Sequence, residues 1–272
     1  MNYKILSKEK LAESITRMSI DAPEASQNAK PGQFVVVIPD EKGERIPLTI
    51  ADFDKNKGSV TIIFQEVGFS TMQLARMKAG DSVYALLGPL GKATHIEKVG
   101  TVICIGGGVG IAEMLPVARA FKNSGNRLLG IIGARSKNLI ILEEELKKIC
   151  DELFITTDDG SYGSKGFVTD ALTSLLENEP CSLVYAVGPV LMMKKVSELT
   201  RPKKIKTLVS LNPIMVDATG MCGVCRCKVA GKTVFACVDG PEFDAHQVDF
   251  DELEKRLKFF DKEEALRRAS HG

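Results

Sequence analysis

The sequence has almost no net charge: 36 Lys and Arg stand against 35 Asp and Glu, for a formal +1 at pH 7. That balance leaves no electrostatic footprint for DNA, RNA or an anionic membrane. Long apolar runs are missing too. The longest nearly uncharged stretch, Val99 to Ile111, is too short to span a bilayer and is broken by glycines. The N-terminal Met1-Asn2-Tyr3-Lys4-Ile5-Leu6-Ser7-Lys8 carries charges where a signal peptide needs its apolar run, so a cytoplasmic location is expected. Histidine is scarce: His95, His246 and His271 are the whole set, and none lies in a motif described below. Internal repeats and low-complexity segments are absent as well. What remains is an ordinary globular composition, 44% hydrophobic and 26% charged, over 272 residues. At ~150 residues per domain that length suggests about two domains.

Seven cysteines are unevenly placed. Cys104, Cys150 and Cys181 are scattered among apolar residues, whereas Cys222, Cys225, Cys227 and Cys237 cluster near the C-terminus. An odd count in a cytosolic chain argues against a disulfide framework. A tight cluster there points to a metal or to redox chemistry.

Two rhythms divide the chain. Up to about residue 98 it reads as short strands, among them 32–38, 58–64 and 81–87, punctuated by Gly, Pro and Asp. Their spacing predicts an antiparallel barrel, with one helix over 70–78. From residue 100 strands and helices alternate: strands 101–105, 127–132, 152–156 and 182–187, with helices 111–123, 142–150, 169–176 and 190–199 between and after them. That order implies a parallel sheet covered by helices on both faces. The expected division is a barrel domain over 1–98, an α/β domain over 99–207, and a cysteine-bearing segment with a charged helix over 208–272.

Gly106-Gly107-Gly108-Val109-Gly110 directly follows a predicted strand and opens a helix. Such a turn lets backbone N–H groups approach a pyrophosphate at a helix N-terminus. It departs from G-x-G-x-x-G, whose last Gly falls here at Ile111, and a plain tight turn is the competing reading. Asp158 and Asp159 follow the third strand and Gly188-Pro189 the fourth, where a parallel sheet gathers ligand groups. Arg135-Ser136-Lys137 would suit a 2′-phosphate, while Glu143, Glu144 and Glu145 oppose it, so NAD and NADP both stay open. In the barrel, Arg45-Ile46-Pro47-Leu48-Thr49-Ile50 offers a hydroxyl that could reach a flavin ring, and Gly68-Phe69-Ser70-Thr71 opens the barrel helix as a second pyrophosphate cradle. Near the C-terminus, Asp217-x4-Cys222-x2-Cys225-x11-Cys237 follows the plant-type [2Fe–2S] spacing, with Asp in the first ligand position. A zinc site of Cys222, Cys225, Cys227 and Cys237 is the rival. Structural zinc normally uses two separated ligand pairs, so the spacing favours iron–sulfur.

Barrel, α/β domain and C-terminal cluster, in that order, resemble the branch of the ferredoxin–NADP reductase superfamily that ends in a [2Fe–2S] domain. Residues 210–223 and 235–243, with 157–163 and 186–189, carry the resemblance, which covers essentially the whole chain. The pattern resembles electron-transfer subunits of dihydroorotate dehydrogenase B. It is more similar still to small (alpha) subunits of the NADH-dependent reduced ferredoxin:NADP oxidoreductase type, also called sulfide dehydrogenase. The resemblance implies an FAD-binding barrel, with FAD contacted by Ile46, Pro47, Leu48 and Thr49, lined by Ile63, Phe64 and Gln65, and held at its pyrophosphate by Ser70 and Thr71. It assigns NAD(H) to Gly106, Gly107, Gly108, Val109, Gly110, Asp158, Asp159, Gly188 and Pro189. It assigns the [2Fe–2S] cluster to Asp217, Cys222, Cys225 and Cys237. The implied activity is electron transfer between NAD(H), FAD and the cluster, with electron bifurcation among NADH, NADPH and ferredoxin. The implied partner is a large subunit with its own FAD and [4Fe–4S] clusters. Two alternatives stay open: the pyrimidine-pathway subunit with a different partner, and a nucleotide-sensing zinc protein. In three places the chain departs from relatives: Ile46 separates Arg45 from the proline, Glu113 follows Ala112 where Pro is common, and Cys227 is an extra thiol.

Overall fold

The structure is a computed structural model that describes residues 3–263 and Leu266. Its first half contains strands β1 (Tyr3–Ala12), β2 (Ile15–Asp21), β3 (Phe34–Ile38), β4 (Ile46–Asp54), β5 (Ser59–Gln65), β6 (Ser82–Val83) and β7 (Ala85–Leu90). Short helices α1 (Pro23–Asn28) and α2 (Phe69–Arg76) interrupt them. The strands pair antiparallel in the order β6-β1-β2-β5-β4-β3-β7. Only Tyr84 separates β6 from β7, so one continuous segment borders both ends of the sheet and nearly closes it into a barrel. Period-2 alternation fills the interior: Met18 and Ile20 of β2, Val35 and Val37 of β3, and Ile62 and Phe64 of β5 share one core. Helix α2 seals it with Leu74, which is fully buried. The helix predicted over 70–78 starts and stops earlier, because the backbone at Met77 is extended.

The second half begins with β8 (Thr101–Gly107), α3 (Gly110–Asn123), β9 (Arg127–Ala134), α4 (Glu143–Lys147), β10 (Glu152–Thr157) and β11 (Ser164–Lys165). It continues with α5 (Val168–Asn178), β12 (Leu183–Val187), α6 (Val190–Thr200) and β13 (Lys206–Ser210). The sheet order is β11-β10-β9-β8-β12-β13, parallel throughout, with one antiparallel strand added beyond β13. Strand order reverses between β8 and β12, which opens a crevice at their carboxyl ends. Strand β13 crosses residue 207, where the domain boundary was expected.

The C-terminal segment forms a hairpin of β14 (Arg226–Val229) and β15 (Lys232–Phe235), then α7 (Ala236–Asp239), β16 (Glu242–Asp244) and α8 (Phe250–Leu257). Strand β16 is the antiparallel edge strand that pairs with β13, so this segment completes the α/β sheet. Helix α8 is capped by Asp249, whose carboxylate accepts the Glu252 N–H at 3.0 Å. Its apolar stripe turns inward: Leu253 is fully buried and Phe250 nearly so. Phe260 and Leu266, further along, are exposed. Barrel and sheet share a core in which Ile15, Ala51 and Ile63 meet Ile111, Ala112 and Leu115 of α3. Burying Ile15 and Ile63 there contributes ~1.5–3 kcal/mol each. Among the described residues, no helix is long and apolar enough to cross a membrane.

Candidate functional site

The glycine turn lies at the strand-order reversal, where Gly106 pairs with Val187 across β8 and β12. Close approach is required at Gly110, because a Cβ there would lie 2.5 Å from the Val187 carbonyl oxygen. That contact seats the N-terminus of α3 against the loop of Gly188 and Pro189. Gly108 has φ +57, and a Cβ built on it would meet nothing within 4 Å. The turn therefore presents bare backbone to open space at the start of a helix without a side-chain cap. An anionic diphosphate fits such a place. Asp158 and Asp159 lie exposed past the carboxyl end of β10, two strands from the reversal, with Asp159 held in an Asx turn by the Ser161 N–H at 2.9 Å. Lys137 stacks on the Tyr162 ring at 5.1 Å. The three opposing glutamates are all engaged: Glu143 by Tyr162 and Lys147, Glu144 by Lys147, and Glu145 by Arg17 of β2.

On the barrel side, Pro47, Leu48 and Thr49 are half-buried on β4, in register with Val36, Val35 and Phe34 of β3, while Ile46 is buried. Ile63 faces the junction with α3, and Gln65 is exposed. Phe64 instead turns into the barrel core, since alternation along β5 sends Ile63 and Phe64 to opposite sides. Its side chain lies away from the junction. Ser70 and Thr71 stand in the first turn of α2. The Thr71 hydroxyl accepts the Gly68 N–H at 3.1 Å, and Ser70 donates to Glu44.

Loop 211–225 and the start of α7 carry the four assigned residues, but among the described residues no three His, Cys, Asp or Glu side chains stand close enough together to hold a metal ion. Cys225 and Cys237 are buried with their sulfurs 3.2 Å apart. Burial, reinforced by the neighbouring Cys225 sulfur, pushes the Cys237 thiol up to about 12. Cys222 is exposed at the rim, and backbone N–H groups of Val224, Asp217 and Val216 hold its thiol below the usual range. Amides aimed at a sulfur stabilise its thiolate, the form that binds metal. Asp217 stands beside Cys222, its carboxylate bonded to Arg45 and Thr219. Three thiols and a carboxylate are donor types that suit an iron–sulfur centre. Cys227 is on β14, where Glu252 and Arg256 of α8 surround it, and its thiol donates weakly to the Cys225 carbonyl at 3.6 Å. Cys225 immediately precedes β14 and meets Cys237, whereas Cys227 lies within the strand.

Two acidic groups of the junction belong to no sequence motif. Glu113, in the first turn of α3, is hydrogen-bonded to Thr49 of β4, and burial pushes it up to about 7. Glu242 of β16 is bonded to Thr94 at 2.5 Å and to the fully buried Tyr185 of β12, and burial pushes it to about 7 as well. In the sequence Glu113 is marked only as a departure from proline, and Glu242 only as part of the stretch 235–243. Burial of either is a property of packing between distant elements, which no local pattern reports.

Comparison with known proteins fits this geometry. Residues 212–249 match the iron–sulfur cluster binding domain of dihydroorotate dehydrogenase B, and residues 104–198 match the oxidoreductase NAD-binding domain. The first match sets an iron–sulfur centre, rather than zinc, on the cysteine loop. A protein in the adh 3′ region of Clostridium beijerinckii, itself described as uncharacterized, is 49% identical over 96% of this chain and 92% of its own length. A homolog of the dihydroorotate dehydrogenase B (NAD(+)) electron transfer subunit from Thermotoga maritima is 46% identical over 97% of this chain and 93% of its own. A solved structure of a NADH-dependent reduced ferredoxin-NADP oxidoreductase, determined for flavin-based electron bifurcation, superimposes with a TM-score of 0.92 at 45% identity, covering 98% of both chains. A nearly closed barrel, a six-stranded parallel core with a reversal point, a thiol-and-carboxylate loop and these matches agree: the chain belongs to the dihydroorotate dehydrogenase B electron-transfer subunit family, oxidoreductase subunits of the ferredoxin–NADP reductase type.

Proposed function

We propose that this chain is the small subunit of a flavin-based bifurcating oxidoreductase that moves electrons among NADH, NADPH and ferredoxin. The observation that carries this reading is the donor set at the cluster loop, where a carboxylate, Asp217, stands with Cys222, Cys225 and Cys237. The 45% identity over 98% of the chain to the bifurcating oxidoreductase structure supports it. FAD, when bound, takes a hydride from NAD(H) as an electron pair and releases electrons singly, and a [2Fe–2S] cluster carries one at a time. Everything else is positioning by this chain.

In this reading Gly106, Gly107, Gly108, Val109 and Gly110, with Gly188 and Pro189, bind the NAD(H) diphosphate, and Asp158 and Asp159 bind ribose hydroxyls. Ile46, Pro47, Leu48 and Thr49 bound the flavin site, Ile63 and Gln65 extend it, Phe64 supports it from the barrel core, and Ser70 and Thr71 hold its pyrophosphate. The barrel is the flavin domain, the parallel sheet the nucleotide domain, and the cysteine loop the cluster subdomain. The partner is a large subunit with its own FAD and [4Fe–4S] clusters, through which ferredoxin connects; the seven cysteines of this chain supply no [4Fe–4S] set. The test is purification of the native complex, iron and flavin analysis, and turnover. Two irons per small chain, and NADP reduction that needs NADH and reduced ferredoxin together, support the proposal; NADP reduction by either alone defeats it. The relative named as a dihydroorotate dehydrogenase B electron transfer subunit homolog favours a second reading, in which dihydroorotate supplies the electrons. Dihydroorotate-dependent NAD reduction by the same complex would establish that one.

A further inference from the structure

Arg45 is the departure from the family pattern that the flavin strand leaves unexplained. It lies immediately before β4, so the next four residues are those assigned to the flavin. Its own side chain turns to the cluster loop. Nη1 donates to Asp217 Oδ1 at 2.8 Å and to the Asp217 backbone carbonyl at 3.1 Å, across 172 residues of sequence. On the other side, the Thr219 N–H donates to Oδ2 at 3.1 Å, and the Thr219 hydroxyl donates to the same oxygen. A carboxylate has about four lone-pair sites. These donors take three, and the Met221 N–H is directed at the same carboxylate, so Arg45 and the loop together set its orientation. The ion pair is only partly exposed, 38% at Arg45 and 22% at Asp217.

We infer that Arg45 is the positioning residue of the cluster: it fixes the Asp217 carboxylate in its ligand orientation and sets the reduction potential through its permanent positive charge. The proposal rests on Asp217 being a cluster ligand. Two features separate this contact from an ordinary surface ion pair, which contributes ~0–1 kcal/mol. The same guanidinium nitrogen grips both the side chain and the backbone of one residue, and the strand it comes from continues directly into the flavin site. Reduction adds a negative charge to the cluster, and a fixed cation beside one ligand favours that state. Arg suits the task because it stays charged and donates in a fixed plane.

The experiment is a redox titration of the cluster in the intact complex, followed by electron paramagnetic resonance, for wild type, Arg45→Gln, Arg45→Lys and Asp217→Asn. At the wild-type midpoint, Arg45→Gln should raise the oxidised-to-reduced ratio about tenfold, a shift of about 59 mV to lower potential. Arg45→Lys should recover most of it, with two irons per chain in both. Equal shifts in the two Arg45 variants, or none in Arg45→Gln, overturn the charge role. If Arg45→Gln loses its cluster, Arg45→Lys decides: a cluster at the wild-type potential supports the proposal, and no cluster overturns it. Asp217→Asn with unchanged iron, g-values and potential defeats the ligand assignment itself. Altered values there, with a silent Arg45→Gln, defeat the Arg45 proposal alone.

Discussion

Glu113 and Glu242 make the stability of this protein depend on pH in a direction opposite to that of a salt-bridged carboxylate. Each carries its proton in the folded chain up to about pH 7, against 4.5 for an ordinary glutamate, because burial disfavours the charged form. The groups around them do little to offset it. Glu113 faces the Thr49 hydroxyl, and Glu242 faces Thr94 and the Tyr185 phenol, with Cys104 close to Tyr185. With the folded pKa raised, the stabilisation is complete below pH 4.5 and is lost as pH rises through about 7. A shift of about 2.5 units corresponds to about 3 kcal/mol per residue, and partial exposure of both residues lowers that to ~1–3 kcal/mol. Glutamine keeps the neutral shape and removes the titration. Glu113→Gln and Glu242→Gln should therefore gain on wild type by ~1–2.5 kcal/mol more at pH 8 than at pH 5. Denaturant midpoints at both pH values, in fixed excess FAD, measure the difference. A wild-type-to-variant gap that stays the same at pH 5 and pH 8 would refute the buried-acid account.

The glycine turn and the spare cysteine yield two further expectations. Gly108→Ala faces open space but sits at φ +57, so it should cost only ~1–2 kcal/mol of stability while NAD(H) affinity falls at least about tenfold. Gly110→Ala, whose Cβ would lie 2.5 Å from the Val187 oxygen, should destabilise the fold outright. Fluorescence titration and thermal unfolding separate the two effects, and unaltered affinity in Gly108→Ala would show that the turn is merely structural. Cys227→Ala should keep two irons and an unchanged visible spectrum, with ~1 kcal/mol lost in packing against α8. Loss of the cluster in that variant would place Cys227 among the ligands.

The parallel sheet was the most legible part of the chain. Its strands are continuous apolar runs, such as Val102 to Ile105, all fully buried, and such runs have few alternatives to a sheet covered on both faces. The first barrel strand was opaque for the opposite reason. Six of the ten residues in β1 are exposed, Lys and Glu among them, so it shows no clean alternation and owes its place to pairing with β2 and β6. Strand β16 is only three residues long and forms because β13 has a free edge to pair with. A pattern that exists only after another strand is in place cannot be read from its own residues.

The candidate site divides along the same physical line. Spacing exposed the cysteine loop and the glycine turn, because both need residues a few positions apart on one backbone. Arg45 and Asp217 meet from 172 positions apart, and Glu113, Tyr185 and Glu242 come from a helix, a central strand and an edge strand. Each of these contacts arises where the barrel, the parallel sheet and the cysteine segment touch. The junction joins groups that the sequence keeps apart: the barrel packs on α3 through Ile15, Ala51 and Ile63, and on the core that holds Cys225 and Cys237 through Phe34 and Val36. A subunit that passes electrons from a nucleotide to a flavin and on to a cluster needs those three places close and fixed. Arg45 to Asp217 ties the approach to β4 to the cysteine loop, while Thr49 to Glu113 and Asp52 to Arg119 add to the apolar core that joins β4 to α3.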